Sequence, residues 1–143
     1  PGPGIGGVVS FVLDCTVTMA WAFDDLADPW SDALLDRLGS DGALVPTVWC
    51  VEVADALLEA EGLSKLRPAD SARFLRLLHS LPIVVDRETP ARAHAEGFAC
   101  ARDHDLSSAT AAYLELAMRE GLPLATRDPE LRRAAEAAGV ELA

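Results

Sequence analysis

Basic residues are scarce in this chain. Its 143 residues hold 12 Lys and Arg against 23 Asp and Glu, a formal net charge of −11. That balance excludes a protein that grips nucleic acid through a broad basic surface, because such binding neutralises many phosphates at once. Any contact with RNA must then be local, made by arginines around a site and by a metal ion that cancels clustered carboxylates. Lysine is almost missing, with Lys65 its single example. Guanidinium is the better planar donor to phosphate and carboxylate, so the arginine bias fits RNA or an acidic partner surface, and equally a genome's codon habits.

Cysteine is sparse too. Cys15, Cys50 and Cys100 form no C-x-x-C pair and no Cys/His cluster at zinc spacing, which argues against a disulfide framework and a structural zinc. Reduced thiols in a cytoplasmic protein are the expectation. No apolar run approaches the roughly 20 residues that span a bilayer, so no membrane partner is expected. The opening Pro-Gly-rich residues 1–7 lack a basic n-region and an apolar h-region. They read as a flexible N-terminal extension, leaving 8–143 as a single domain, in line with about 100–200 residues per domain.

What is present alternates. Short apolar runs at 8–13, 43–45, 83–85 and 122–126 read as strands, with 140–142 a candidate fifth. Between them lie helical patterns. One covers 16–23, and one opens at Pro29 and stops at Gly39. A long one runs from an N-cap at Thr47 to Glu61, with Val48, Val51, Val53, Leu57, Leu58 and Ala60 wrapping widely enough to imply burial on more than one side. Others start at Pro68, run from Thr89 to about Arg102, extend from the Ser107 cap to Gly121, and run from Pro129 to Gly139. Strands alternating with helices predict an α/β fold: a three-layer α/β/α domain around a parallel sheet of four to five strands.

In open parallel sheets, ligands collect at the carboxyl ends of the strands. Asp14 and Asp128 follow the first and fourth runs, as helix N-caps or as ligands. Glu52 sits among apolar neighbours in the long helix, and a carboxylate held against a core needs an arginine or a metal ion. Three carboxylates suit a hard cation such as Mg²⁺, which prefers oxygen ligands and keeps several waters.

Four segments carry a family resemblance. They are Phe11-Val12-Leu13-Asp14-Cys15-Thr16; Val45-Pro46-Thr47-Val48-Trp49 leading to Glu52-Val53-Ala54-Asp55; Leu106-Ser107 through Ala111-Ala112-Tyr113-Leu114; and Gly121-Leu122-Pro123-Leu124-Ala125-Thr126-Arg127-Asp128. In this order the chain resembles the PIN domain of VapC-type toxins over residues 8–143. The resemblance implies a PIN-like fold and a Mg²⁺- or Mn²⁺-dependent endoribonuclease, the toxin of a type II toxin–antitoxin system. It implies tRNA or ribosomal RNA as substrate, a homodimer, and a VapB-like cognate antitoxin as partner. Family acids fall on Asp14, Glu52 and Asp128, with Thr16 supporting the first.

One position departs from the pattern. Where the family carries a further acid, this chain has Thr110. Asp55, one turn from Glu52, and Asp105, in the loop before that helix, are the substitutes to consider, each with a solvated or capping role as the alternative. The departure motivates a second expectation, a catalytically degenerate PIN domain that binds an antitoxin or another protein. Arg127 is a candidate RNA-phosphate contact or a surface ion pair. Trp49 and Tyr113 read as core aromatics, and His79, His94 and His104 as dispersed. A phosphotransfer enzyme with Asp14 as nucleophile is disfavoured, because Thr16 stands where a second Asp is typical.

Overall fold

Three apolar residues in a row, flanked by Pro, Gly or Asp, are enough for a strand that is covered on both faces. The computed structural model describes residues 9–143. In it β1 (Phe11–Leu13), β2 (Ala43–Val45), β3 (Ile83–Val85) and β4 (Leu124–Ala125) form one sheet in the order β3-β2-β1-β4. All three pairings are parallel, with Val12 opposite Leu44 on one side and Leu124 on the other. β1, β2 and β4 are wholly buried, while edge strand β3 is only partly so. This burial explains their unbroken apolar composition.

Among the described residues, eight α-helices connect and cover the strands, α1 (Cys15–Ala20), α2 (Pro29–Asp41), α3 (Val48–Gly62), α4 (Pro68–Ser80), α5 (Thr89–Ala93), α6 (Glu96–His104), α7 (Ser108–Glu120) and α8 (Pro129–Ala138), with a single 3-10 turn at Asp24–Leu26. The result is the expected three-layer α/β/α, PIN-like fold around a four-stranded parallel sheet. The chain steps outward from β1 to β2 to β3, then returns to place β4 on the far side of β1. That reversal opens a crevice at the carboxyl ends of β1 and β4, where sheets of this kind hold ligands. Among the described residues, no helix is long and apolar enough to cross a membrane.

Several expectations need correction. The extension at 1–7 and the first residue of the expected 8–13 strand lie outside the described residues, and β1 itself starts at Phe11. α2 runs through Gly39 to Asp41, because the positive φ that ends a helix falls on Gly42 (φ 83°). Residues 89–102 do not form one helix. The chain breaks after Ala93 and restarts at Glu96, and a Cβ on Gly97 would lie 2.9 Å from the Arg92 carbonyl oxygen. Only glycine permits so close an approach of the two segments. Residues 140–142 contribute a single parallel bridge, Leu124 to Leu142, rather than a fifth strand. Thr47 does not cap α3 with its side chain; its hydroxyl donates to the Asp86 carbonyl instead (3.0 Å).

α3 is also less enclosed than its apolar sequence suggests. Trp49, Val53, Leu57 and Ala60 face inward. Val51 and Leu58 stand 62% and 64% exposed on the other side.

A buried ion cluster ties α7 to the turn after β3. Arg119, 11% exposed, bonds Glu115 through Nε (2.9 Å) and Asp86 through its terminal nitrogen (2.9 Å). Both carboxylates are about as buried as the guanidinium, so removing the cation would strand two charges. Arg119→Leu should therefore cost about 3 kcal/mol in urea unfolding. A loss below about 1 kcal/mol would show that water reaches these carboxylates.

Candidate active site

Asp14 is placed by the sheet itself. Its amide continues the β1–β4 ladder by donating to the Ala125 carbonyl (3.2 Å). Its side chain then caps α1: Oδ1 accepts from the Val17 amide (3.0 Å) and from the Thr16 hydroxyl (2.7 Å). Oδ2 accepts from the Thr126 hydroxyl. The carboxyl is 3% exposed. Burial pushes it up to about 6 against the pull of Thr126, Thr16 and Val17, and the Asp128 charge adds to the rise. Asp14 is thus an N-cap, and it also faces a cavity.

Two threonines join the ends of β1 and β4 reciprocally. Thr16 donates to Asp14 and accepts from the Arg127 amide (2.8 Å). Thr126 donates to Asp14 and accepts from the Asp128 amide (3.0 Å). Sequence reasoning assigned Thr126 to a strand and missed this role. The available signal was its place two residues before Asp128, at a strand end.

Glu52 arrives from α3. That helix is registered on α1 by the buried Trp49, whose Nε1 donates to the Thr18 hydroxyl (2.9 Å), and Thr18 in turn donates to the Asp14 carbonyl (2.8 Å). Glu52 is half-buried, and its Oε1 accepts from the Tyr113 hydroxyl on α7. Tyr113 is a core aromatic as expected, 3% exposed, yet it also has this polar contact, which sequence reasoning missed. Burial and then the Glu52 carboxylate push its hydroxyl well above the usual tyrosine range, so it remains a neutral donor. Asp128 caps α8, with Oδ1 accepting from the Glu130 amide (3.0 Å).

Asp14, Glu52 and Asp128 line one small cavity of about 70 Å³, together with Cys15, Thr16, Thr110, Tyr113 and Leu131. At roughly 30 Å³ per water, it holds about two waters. Larger clefts of about 500 Å³ lie elsewhere, one of them against Gly121 and Gly139, but neither is lined by these acids. Chemistry rather than size singles out the small one. Among the described residues no Arg or Lys pairs with Asp14, Glu52 or Asp128. The uncompensated field is felt by Cys15, whose thiol is pushed up to about 12 by burial, then by Glu52 and Asp14. Burial and these two carboxylates both disfavour its thiolate form. Also among the described residues, no three His, Cys, Asp or Glu side chains converge closely enough to enclose a metal ion directly.

The remaining candidates fall outside the cavity or play other parts. Thr110 lines it, with its hydroxyl oxygen accepting from Ser107 (3.0 Å) in the first turn of α7. Asp55 is exposed and Asp105 is an exposed left-handed residue (φ 55°) ending α6; neither lines the cavity. Arg127 is engaged within the chain. It bonds the Leu26 carbonyl and Asp28 (both 2.6 Å) and lies over the Trp30 ring. That is the ion-pair alternative rather than a free phosphate contact. Cys50 is exposed, and no histidine lines the cavity.

A PIN-like α/β/α domain with acids at the ends of its central strands is the class that fold and cavity define. Two solved structures share the fold. PAE2754 from Pyrobaculum aerophilum is 22% identical, with a TM-score of 0.67 over 89% of this chain and 86% of that one. FitAcB from Neisseria gonorrhoeae is also 22% identical, with a TM-score of 0.56 over 92% of this chain and 95% of that one. No family model matches the chain, and no curated protein does.

The raised Asp14 carboxyl gives a pH dependence of definite sign. The folded chain holds this proton more tightly than the unfolded chain, whose ordinary value is 3.8. The contribution is therefore present in full below about pH 4 and lost as pH rises through about 6. In EDTA, the wild type should gain about 1 kcal/mol relative to Asp14→Asn between pH 7.5 and pH 5 in urea unfolding. A constant difference across that range would refute the assignment of the proton to Asp14.

Proposed function

We propose that this chain is a metal-dependent endoribonuclease, the toxin of a type II toxin–antitoxin system, with Asp14, Glu52 and Asp128 holding Mg²⁺ or Mn²⁺. The observation that carries the reading is the cavity at the ends of β1 and β4. Three carboxylates line it, and no basic side chain among the described residues compensates them. Clustered carboxylates repel unless a cation intervenes. The donor set fits a hard divalent ion: carboxylate and hydroxyl oxygens with room for water. Among the described residues the acids do not come close enough to enclose an ion by themselves, so several of its ligands would have to be waters. When bound, such an ion supplies positive charge for a scissile phosphate and acidifies a water for attack.

The chain's own residues prepare the site. Thr16, Thr126 and the Val17 amide hold the Asp14 carboxylate in one orientation. Tyr113 holds Glu52, and the first turn of α8 holds Asp128. With a net charge of −11, RNA would be admitted only where the ion cancels this local field, which favours a looped or single-stranded substrate, tRNA or ribosomal RNA, over a broad duplex. A VapB-like antitoxin, homodimerisation and a cytoplasmic setting belong to the same reading.

Thr110 supports a second reading, a degenerate PIN domain that only binds an antitoxin or another protein. A neutral hydroxyl stands at the position in question, and neither Asp55 nor Asp105 reaches the cavity. The two are separated by incubating purified protein with total RNA in Mg²⁺, Mn²⁺ or EDTA. Nuclease function predicts cleavage in either metal, none in EDTA, and a loss of about 100-fold in Asp14→Ala, since a metal ion contributes several kcal/mol of charge stabilisation. Cleavage left intact by Asp14→Ala would remove the assignment. An inert wild type in which Thr110→Asp creates cleavage would establish the degenerate reading.

A further inference from the structure

We infer that Tyr113 is a positioning residue of the metal site: its hydroxyl fixes one oxygen of Glu52, so that the other is presented to the ion. The inference rests on the metal-site reading above and adds a residue to it. Tyr113 and Thr110 are one helical turn apart on α7, and both reach the cavity. The tyrosine hydroxyl donates to Glu52 Oε1, and among the described residues that carboxylate has no other side-chain hydrogen-bond partner.

Glu52 needs such a tether more than the other two acids do. Asp14 is held by three donors, and Asp128 is a helix cap with a short side chain. Glu52 projects from the middle of α3 on a longer chain with more rotamers. Left alone, it would swing toward solvent, since its helix neighbours Val51 and Asp55 are both exposed. The bond also crosses between helices, from α7 to α3, so the spacing of two elements becomes the position of one oxygen. Ligand-orienting partners of this kind are worth about 10–100-fold in metal affinity.

The test uses Mn²⁺ alone, titrated by calorimetry into the full chain and Tyr113→Phe. The variant should bind Mn²⁺ about 10-fold or more weakly while melting cooperatively in EDTA. Binding equal to or tighter than wild type would overturn the inference and leave the metal site standing. Absence of Mn²⁺ binding by the wild type would remove the site, and this inference with it. Folding of the variant is not a precondition, because Tyr113 is the chain's single tyrosine. Wild type grown on 3-fluorotyrosine therefore gives one ¹⁹F resonance. That resonance should shift saturably on Mg²⁺ addition, and an unmoved resonance at saturating Mg²⁺ would equally overturn the assignment.

Discussion

The structure turns on a carboxylate at the end of its central strand that is almost wholly removed from water. An ionised group there is costly unless donors surround it. Asp14 obtains them from the first turn of α1 through the Val17 amide and Thr16, and from the end of β4 through Thr126. Satisfying one side chain thus fixes where α1 begins, how β1 sits against β4, and where Arg127 and Asp128 leave the sheet. The donors do not fully offset desolvation, since the carboxyl still rises to about 6. That residual cost lies at the one crevice the strand order opens. A folded chain with a local conflict at such a place is better understood through what binds there than through its own stability.

Two acid clusters in the same molecule make the contrast plain. Around Arg119, the carboxylates of Glu115 and Asp86 meet a guanidinium in direct hydrogen bonds, and Glu88 and Glu120 lie within ion-pair distance. Around Asp14 and Glu52 the donors are neutral: two threonines, a tyrosine and a backbone amide. Arginine is available nearby, for Arg127 is adjacent to Asp128 in sequence, yet its guanidinium turns to Asp28, Leu26 and Trp30. Neutral donors orient carboxylates without cancelling their charge. The charge of this cavity is left without a basic partner among the described residues, whereas that of the Arg119 cluster is met internally.

How much of this was legible in the sequence depended on whether local pattern or tertiary environment decided each feature. β2 and β3 fall on the residues their apolar runs marked, and α7 lies between its Ser107 cap and the left-handed Gly121. Local chemistry determines those boundaries. Gly39 misled because glycine ends a helix only where the backbone takes positive φ, and that demand fell three residues later. The outward placement of Val51 and Leu58 was unreadable for a different reason: a helix apolar all round does not say which stripe meets the core, and Trp49, anchored on Thr18, settled it. The acids of the cavity were legible because carboxylates are conspicuous beside apolar runs. Thr126 and Tyr113 were not, since each passes as an ordinary strand or core residue until the partner strand or helix arrives.

Thr110 has a physical meaning of its own at the cavity. It occupies the third position of α7 after the Ser107 cap, where an acidic residue would complete a capping interaction and complement the helix dipole. Threonine forgoes the dipole benefit, although its hydroxyl still accepts from the Ser107 cap side chain. It also spares the empty cavity a fourth negative charge beside three that have no basic partner. Because repulsion among carboxylates is what a cation would relieve, under the proposed metal-site reading lowering it would weaken both the need for an ion and the hold upon it. On that reading, binding strength would depend on how well Asp14, Glu52 and Asp128 are oriented, which puts the burden on the neutral hydroxyls of Thr16, Thr126 and Tyr113 that hold the first two.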